Sequence, residues 1–255
     1  MVKRIILTSL ICTLAFGSFA CYFFFAGNYA DIRKRECKCR KAEVTILDSL
    51  ASSAVNKREI LDILEQNSLG RNLANLNVKA IEEKVMENGE VVSAEVYATD
   101  YNKVAVRLTQ RRPVARFKCG AKSFYCDSTG YLFPAKHYLE TPIITGCVPM
   151  PEDEHFKGFM GQEQAAVIKN LSRLASFIES DNFLKKQIQQ IEVAENGEIT
   201  LYPAIGRQTV LFGQCDSFAG KFRKLEAYYR NIAPTKGNDA YSTVNLKYKN
   251  QIICR

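Results

Sequence analysis

The chain has 255 residues, 47% of them hydrophobic, with 35 Lys and Arg against 27 Asp and Glu, a formal charge of +8. That apolar content suffices to build cores and excludes a disordered polymer, whose mark is low hydrophobicity with high charge. Apart from one terminal apolar run, the length suits one large or two modest domains.

The run extends from Ile5 to Ala26 without a charge. A spanning helix needs about 20 such residues. Residues 1–4 are therefore expected as a short tail and 5–26 as a transmembrane helix. Lys3 and Arg4 precede it, and Tyr22, Phe23, Phe24, Phe25 and Tyr29 gather at its far end, where aromatic rings favour the membrane interface. A cleaved leader competes, with Ser18-Phe19-Ala20 as a small-x-small site followed by Cys21. The apolar stretch runs on to Phe25, beyond the about 7–15 residues of a secretory core, and favours the uncleaved anchor. Residues 27–41 read as a basic linker, with Arg33, Lys34, Arg35, Lys38, Arg40 and Lys41 offset by Asp31 and Glu36. Such a flank suits anionic head groups and the cytoplasmic side, but long domains translocate largely regardless of charge. Charge alone leaves sidedness open.

Residues 42–111 read as one unit in the order strand, helix, helix, strand, strand. Glu43 to Leu47 alternates as a strand. Asn56 caps a helix over Lys57 to Gln66, with Ile60, Ile63 and Leu64 inward. Asn77 caps a second, Val78 to Asn88, with Ile81, Val85 and Met86 inward, and Asn88-Gly89 stops it. Val92, Ala94, Val96 and Ala98 alternate on one strand, Val104, Val106 and Leu108 on the next, with a turn at Asp100-Tyr101-Asn102. Arg111-Arg112-Pro113 marks a domain junction, since proline cannot donate to a ladder and extends the residue before it. The arginine pair is expected as a solvated corner.

Residues 112–255 read as strand-rich with two helices. Strands are expected at Val114 to Lys118, Ser123 to Cys126, Ile143 to Thr145, Ile188 to Val193, Ile199 to Tyr202 and Thr209 to Phe212. Turns fall at Asp127-Ser128-Thr129-Gly130 and Asn196-Gly197, and Gly146 to Gly158 is a loop. Gln164 to Ser180 is an amphipathic helix facing Val167, Leu171, Leu174 and Ile178 inward. Phe218 to Ile232 is a second, facing Phe222, Leu225 and Tyr229 inward. A last strand carries Val244, Leu246 and Tyr248 on one face and Thr243, Asn245 and Lys247 on the other, before Ile252-Ile253-Cys254. The fold class is α+β.

Catalytic signatures are missing. There is no H-E-x-x-H, G-x-S-x-G or G-x-G-x-x-G, and Gly213 to Lys221 fails as a phosphate loop because its glycines are spaced wrongly and no Ser or Thr follows Lys221. Only His137 and His155 could join cysteines at a metal, and Cys37-x-Cys39 lacks zinc-ribbon spacing. No metal, no cofactor and no enzymatic activity are expected. Seven cysteines lie outside the anchor; Cys119 and Cys126 flank a hairpin and are either a disulfide or two isolated thiols. Lys221, Arg223, Lys224 and Arg230 share the last helix and read as a solvated face, so no nucleic-acid partner is expected.

Four stretches carry a resemblance. They are the 42–110 unit; Val106 to Arg116 across the Arg-Arg-Pro junction; Tyr125-Cys126-Asp127-Ser128-Thr129-Gly130-Tyr131-Leu132-Phe133-Pro134 running on to Pro142-Ile143-Ile144-Thr145-Gly146; and Val210 to Gly213 with Lys221 to Leu225 and Tyr241 to Gln251. In order and spacing they resemble the FtsQ/DivIB bitopic cell-division proteins over nearly the whole chain. The resemblance implies a POTRA domain at 42–111 and a β domain at 112–255. It also implies a cytoplasmic N-terminus, a single inner-membrane crossing and a periplasmic ectodomain at the division septum. The implied role is a non-enzymatic divisome scaffold that binds FtsB-like and FtsL-like partners, meets other divisome components, and is tied to septal peptidoglycan synthesis. The family's partner-binding strand maps onto Thr243 to Tyr248, so Thr243, Asn245, Lys247, Tyr248 and Gln251 are the implied partner-binding residues, on a strand expected at an exposed sheet edge. Two other classes compete: a POTRA-bearing chaperone or transport component, and an anchored hydrolase.

Overall fold

The computed structural model describes residues 16–26, 37–48, 55–99, 102–237 and 239–255. The tail, the first part of the expected anchor, Arg33 and Arg35 of the linker, and Asp100-Tyr101 lie outside them. Residues 16–26 are a helix, α1, with Phe16, Phe19, Phe23 and Phe24 exposed on it. Among the described residues no helix is long and apolar enough to cross a membrane.

Among the described residues, those up to Gln110 and those from Arg111 form two units. The first contains β1 (Lys41–Ile46), α2 (Lys57–Ser68), a 3-10 turn (Leu73–Asn75), α3 (Val78–Met86), β2 (Val91–Thr99) and β3 (Lys103–Gln110). This is the expected strand, helix, helix, strand, strand order. The sheet runs β1-β3-β2. β1 pairs with β3 in parallel, which requires a long crossover, here the two helices. β3 is central, and its Val104, Val106 and Leu108 are fully buried. Both helix starts follow the sequence: Asn56 accepts from the Arg58 N–H and Asn77 from the Ala80 N–H, the side-chain capping that makes asparagine favourable there.

Three positions differ from expectation, one of them Ala98, which is exposed near the end of β2. Met86 is exposed, at the last residue of α3. Val92 is exposed while Val91 is buried, because the β2–β3 register slips between Val91 and Ser93. A bulge of this kind moves one side chain to the opposite face.

The second unit is a nine-stranded mixed sheet in the order β12-β11-β10-β9-β8-β7-β4-β5-β6. Its strands are β4 (Pro113–Cys119), β5 (Lys122–Asp127), β6 (Leu132–Pro134), β7 (Ile143–Gly146), β8 (Ile188–Val193), β9 (Ile199–Pro203), β10 (Thr209–Gly213), β11 (Thr243–Asn245) and β12 (Ile253–Cys254). Its helices are α4 (Gln162–Ser180), α5 (Asn182–Gln187), α6 (Phe218–Ala227) and α7 (Ala233–Lys236), with a π turn at Tyr228–Ile232. The expected pair of helices is thus joined by two short ones. α5 is capped by Asp181, whose carboxylate accepts the Phe183 and Leu184 N–H groups. One core joins Ile168, Leu174 and Ile178 of α4 and Phe222 and Leu225 of α6 to Phe117, Ile144, Ile191, Leu201 and Phe212 of the sheet.

On α4 it is Ile168, not Val167, that faces this core; both lie at helical spacing from Leu171, and the larger side chain is the one buried. On the last helix Tyr228 is fully buried and Tyr229 is not. The inward ridge runs Phe222, Leu225, Tyr228, then Ala233, five residues on, the hydrogen-bond spacing of a π turn, and the Ala233 N–H donates to Tyr228 O.

Arg111 is no solvated corner. Its guanidinium lies 2.6 Å from Asp127 Oδ2, with both side chains largely buried, and stacks 3.7 Å from the Tyr131 ring centroid. Arg112 is exposed, and Pro113 opens β4 opposite Asp127. Asp127 also organises the turn after β5, its Oδ1 accepting the Thr129 and Tyr131 N–H groups and the Thr129 hydroxyl.

Candidate functional site

The two ends of the nine-stranded sheet differ. At the β6 end, Leu132 exchanges both main-chain bonds with Gly158, at 2.9 and 3.0 Å, and Pro134 has no N–H to offer. A partner strand finds little to pair with there.

At the other end lies β12. The Thr243 N–H donates to Arg255 O at 2.9 Å and the Arg255 N–H to Thr243 O at 3.1 Å, with Val244 opposite Cys254 and Asn245 opposite Ile253. In an antiparallel ladder, bonded and non-bonded pairs alternate. Thr243–Arg255 is a bonded pair, so Val244–Cys254 is not, and the main-chain groups of Cys254 and Ile252 point outward. The same alternation turns Val244 and Leu246 toward β10, consistent with the Leu246 N–H donating to Leu211 O at 2.9 Å. Thr243 and Asn245 turn toward β12.

This corrects the expected exposed ribbon at Thr243 to Tyr248. The strand stops at Asn245 and its outer flank is covered by β12, so Thr243 and Asn245 are interior to the ladder and Ile252–Cys254 forms the edge. Val244 and Leu246 are fully buried and close the core, while Tyr248 is half exposed, beyond the strand. Gln251 is exposed on the turn that leads back into β12.

Beside this end of the sheet is a cleft of about 1120 Å³. Four separate segments build it: Arg173 and Phe177 of α4, Glu198 at the β8–β9 turn, Phe218 and Arg223 of α6, and the chain from Leu246 to Asn250. Its floor is partly aromatic; Phe177 stacks on Phe222 with centroids 5.4 Å apart. Its rim is mainly cationic, with Arg173, Arg223 and Lys249 exposed. Lys247 reaches it too, but its ammonium is 2.6 Å from Glu198 Oε2, with both side chains about a third exposed. The hydrogen bond from Lys247 is the main cause holding the Glu198 carboxyl below its usual range, with the Lys247 charge adding to it. Both ions of this pair stay solvated and screened, so it holds weakly and a carboxylate from elsewhere competes with it on near-equal terms.

The basic residues of the last helix do not form one face. Lys221 is buried, bonded to Asp216 and the Gln214 carbonyl, and 4.7 Å over the Phe212 ring. Lys224 donates to the carbonyls of Leu246 and Tyr248. Arg230 pairs with Glu226. Only Arg223 is left pointing into the cleft as an accessible cation. Sequence reasoning missed Arg173, Phe177 and Glu198 altogether; each lies on its own element with no local signal linking it to Lys247.

Nucleophile chemistry has little to work with. Among the described residues no three His, Cys, Asp or Glu converge as for a metal. Cys119 sits opposite Lys122 and Cys126 opposite Ala115, so the two cysteines are separated by four residues along β5, about 13 Å at strand rise. A disulfide needs Cα atoms within about 7 Å, and this pairing is excluded. Cys126 is fully buried, its thiol pushed far up by burial and then by Asp127. Burial likewise pushes Cys215 up to about 11. Thiolate is the reactive form. Alkylation at pH 8 should therefore modify the exposed Cys119 and Cys147 at least tenfold faster than Cys126 or Cys215, read by peptide mass spectrometry; equal rates at Cys126 would contradict its burial.

Comparison with known proteins gives two family matches. A model described as FtsQ/DivIB, C-terminal related, matches residues 112–255, and a POTRA-like domain model matches residues 37–109. Similar curated proteins are each called cell division protein FtsQ. That of Geotalea daltonii is 24% identical over 222 residues, covering 86% of this chain and 75% of the relative. That of Syntrophotalea carbinolica is 22% identical over 243 residues, covering 94% and 79%. That of Rhodothermus marinus is 26% identical over 199 residues, covering 73% and 68%.

Proposed function

The chain belongs to the FtsQ/DivIB family, and on that premise we propose that it is a non-enzymatic scaffold of the bacterial division machinery. Residues 1–4 are cytoplasmic, 5–26 cross the inner membrane once, and the POTRA domain (42–111) and β domain (112–255) stand in the periplasm at the septum. The β domain receives FtsB-like and FtsL-like partners and so couples them, with other divisome components, to septal peptidoglycan synthesis.

One observation carries this reading: the open edge at Ile252–Cys254 lies beside a cleft with a cationic rim and an aromatic floor. A strand added to that edge gains main-chain bonds that are indifferent to sequence. Selectivity comes from the cleft. Arg173, Arg223 and Lys249 attract acidic side chains, and Phe177 and Phe218 offer apolar surface. Thr243 and Asn245 act by holding β12 in place, while Lys247, Tyr248 and Gln251 border the approach to the edge. Arg111 and Pro113 set the start of the β domain and touch no partner.

The test is association of the full chain, in detergent, with an FtsB-like partner. Arg173→Glu with Arg223→Glu, both at exposed positions, should weaken binding at least tenfold and reduce its dependence on salt, since charge at a rim acts mainly through screened attraction. A fluorescent fusion of the unaltered chain should gather at midcell. Unchanged affinity in the double variant, or a uniform signal around the cell, defeats the proposal.

A further inference from the structure

Residues 246–252 carry the chain out of β11 and back into β12, and contain neither strand nor helix. β12 is only Ile253–Cys254, with both side chains half buried, far short of the usual strand of about 5–6 residues. Ile252 and Cys254 pack on the core, and Arg255 is bonded to Ser242 and Thr243 at 2.6–3.1 Å, but so small an element buries little by itself, and the turn that delivers it has to be held as well. Lys224, on α6, donates from Nζ to Leu246 O at 2.6 Å and also to Tyr248 O, bridging 22 and 24 residues of chain. The turn's own other ties are weaker: the Lys247 N–H to Asn245 Oδ1 at 2.9 Å, and the exposed Lys247–Glu198 pair. Hydrogen bonds from an ammonium are roughly twice as strong as neutral ones, and Lys224 is drawn out of water, its pKa lowered by burial first and by Lys221 second.

We infer that Lys224 is a positioning residue that latches the return turn, and that it thereby decides which of two edges the sheet presents. With the latch closed, β12 covers β11 and the outward main-chain groups are those of Ile252 and Cys254. With it open, the groups of Thr243 and Asn245 become the edge, and a strand of another polypeptide takes the place of β12. The functional consequence rests on the docking role proposed above; the latch itself does not.

Alternation of the ladder supplies a sharp readout. The Thr243 and Asn245 amides face β12, whereas those of Val244 and Leu246 face β10. In the full chain in detergent, without partner, residue-resolved hydrogen exchange is compared between the unaltered protein, Lys224→Met and Lys224→Arg. Met keeps the apolar stem and removes the donors; Arg keeps charge and donors. In Lys224→Met, Thr243 and Asn245 should exchange at least tenfold faster, with Val244 and Leu246 within twofold of the unaltered chain. In Lys224→Arg all four should stay within threefold. Alkylation of Cys254, packed opposite Val244, should accelerate in Lys224→Met while Cys126 stays protected. Unchanged exchange at Thr243 and Asn245 overturns the latch. Equal acceleration at all four amides also overturns it, since Lys224 would then merely support the end of the sheet. An Arg variant behaving like the Met variant overturns the donor account. Because no partner is present, failure here leaves the docking proposal standing, and failure of docking leaves the latch standing.

Discussion

Cys254→Pro should weaken capture of a partner strand and leave the fold intact, whereas Ile253→Pro, one residue earlier, should damage the β11–β12 ladder itself. The contrast follows from where each N–H points. Residue 253 pairs with Asn245 in the bonded register, so its N–H belongs to the β11–β12 ladder. Residue 254 pairs with Val244 in the non-bonded register, and its N–H faces outward. Proline removes the donor in both cases, but edge positions with an outward N–H tolerate it. It also biases the preceding residue toward extended geometry, which Ile253 already has. A lost hydrogen bond is worth about 0.5–1.5 kcal/mol net, and the ring obstructs its neighbour's approach as well. The expected loss of affinity for an added strand is therefore roughly 10–100-fold, about 1.4–2.8 kcal/mol. Titration of the full chain with an FtsB-like partner measures it, and urea unfolding of the same variant should shift by less than about 1 kcal/mol. Undiminished affinity in Cys254→Pro would mean that partners do not pair at this edge.

Much of the body could be read from the sequence where a single local rule dominates. Val104, Val106 and Leu108 alternate because β3 lies centrally with helices on one face, and they are buried as their spacing implies. Asn56 and Asn77 cap the helices they precede, and Asn196-Gly197 turns β8 into β9 with Gly197 at φ 77°. Reading failed where two elements competed for one face or where order in the sheet mattered. Val92 gave way to Val91 at a bulge, and Tyr229 to Tyr228 at a π turn. Neither irregularity has a local signature. The edge was misassigned for a different reason. A two-residue strand such as Ile253–Cys254 has no alternation to detect, and whether β11 ends a sheet depends on residues that return ten positions later. The cleft draws on four separated segments, so of the five partner-binding residues implied by the family resemblance only Lys247 and Tyr248 line it. One clue was present in the sequence: Lys221 falls beside Phe222 on the inward ridge of α6, a place where a lysine must find partners, and it finds Asp216 and the Gln214 carbonyl.

Asp127→Ala should be the most destabilising single change at the entry to the second unit. The carboxylate is 8% exposed and its partner Arg111 14%. Four donors converge on it: the Arg111 guanidinium at 2.6 Å, the Thr129 N–H at 2.8 Å, the Thr129 hydroxyl at 2.6 Å and the Tyr131 N–H at 3.1 Å. Three of these close the turn after β5, in which Gly130 takes φ 93°; the Arg111 bond ties the start of β4 to the end of β5. Removing one partner of a buried pair costs about 3–5 kcal/mol because the other charge stays behind without compensation. Replacing both partners by apolar groups costs much less, since no charge is then left buried. Asp127→Ala alone should therefore lower the urea-unfolding free energy of the second unit by about 3–5 kcal/mol, and Arg111→Met with Asp127→Leu by clearly less, despite altering more atoms. Arg111 also lies over the Tyr131 ring, so Arg111→Met should retain part of that packing through its unbranched apolar stem. If Asp127→Ala costs under about 1 kcal/mol, in the range of an exposed pair, the cluster is a surface ornament rather than the clasp that fixes β4 against β5.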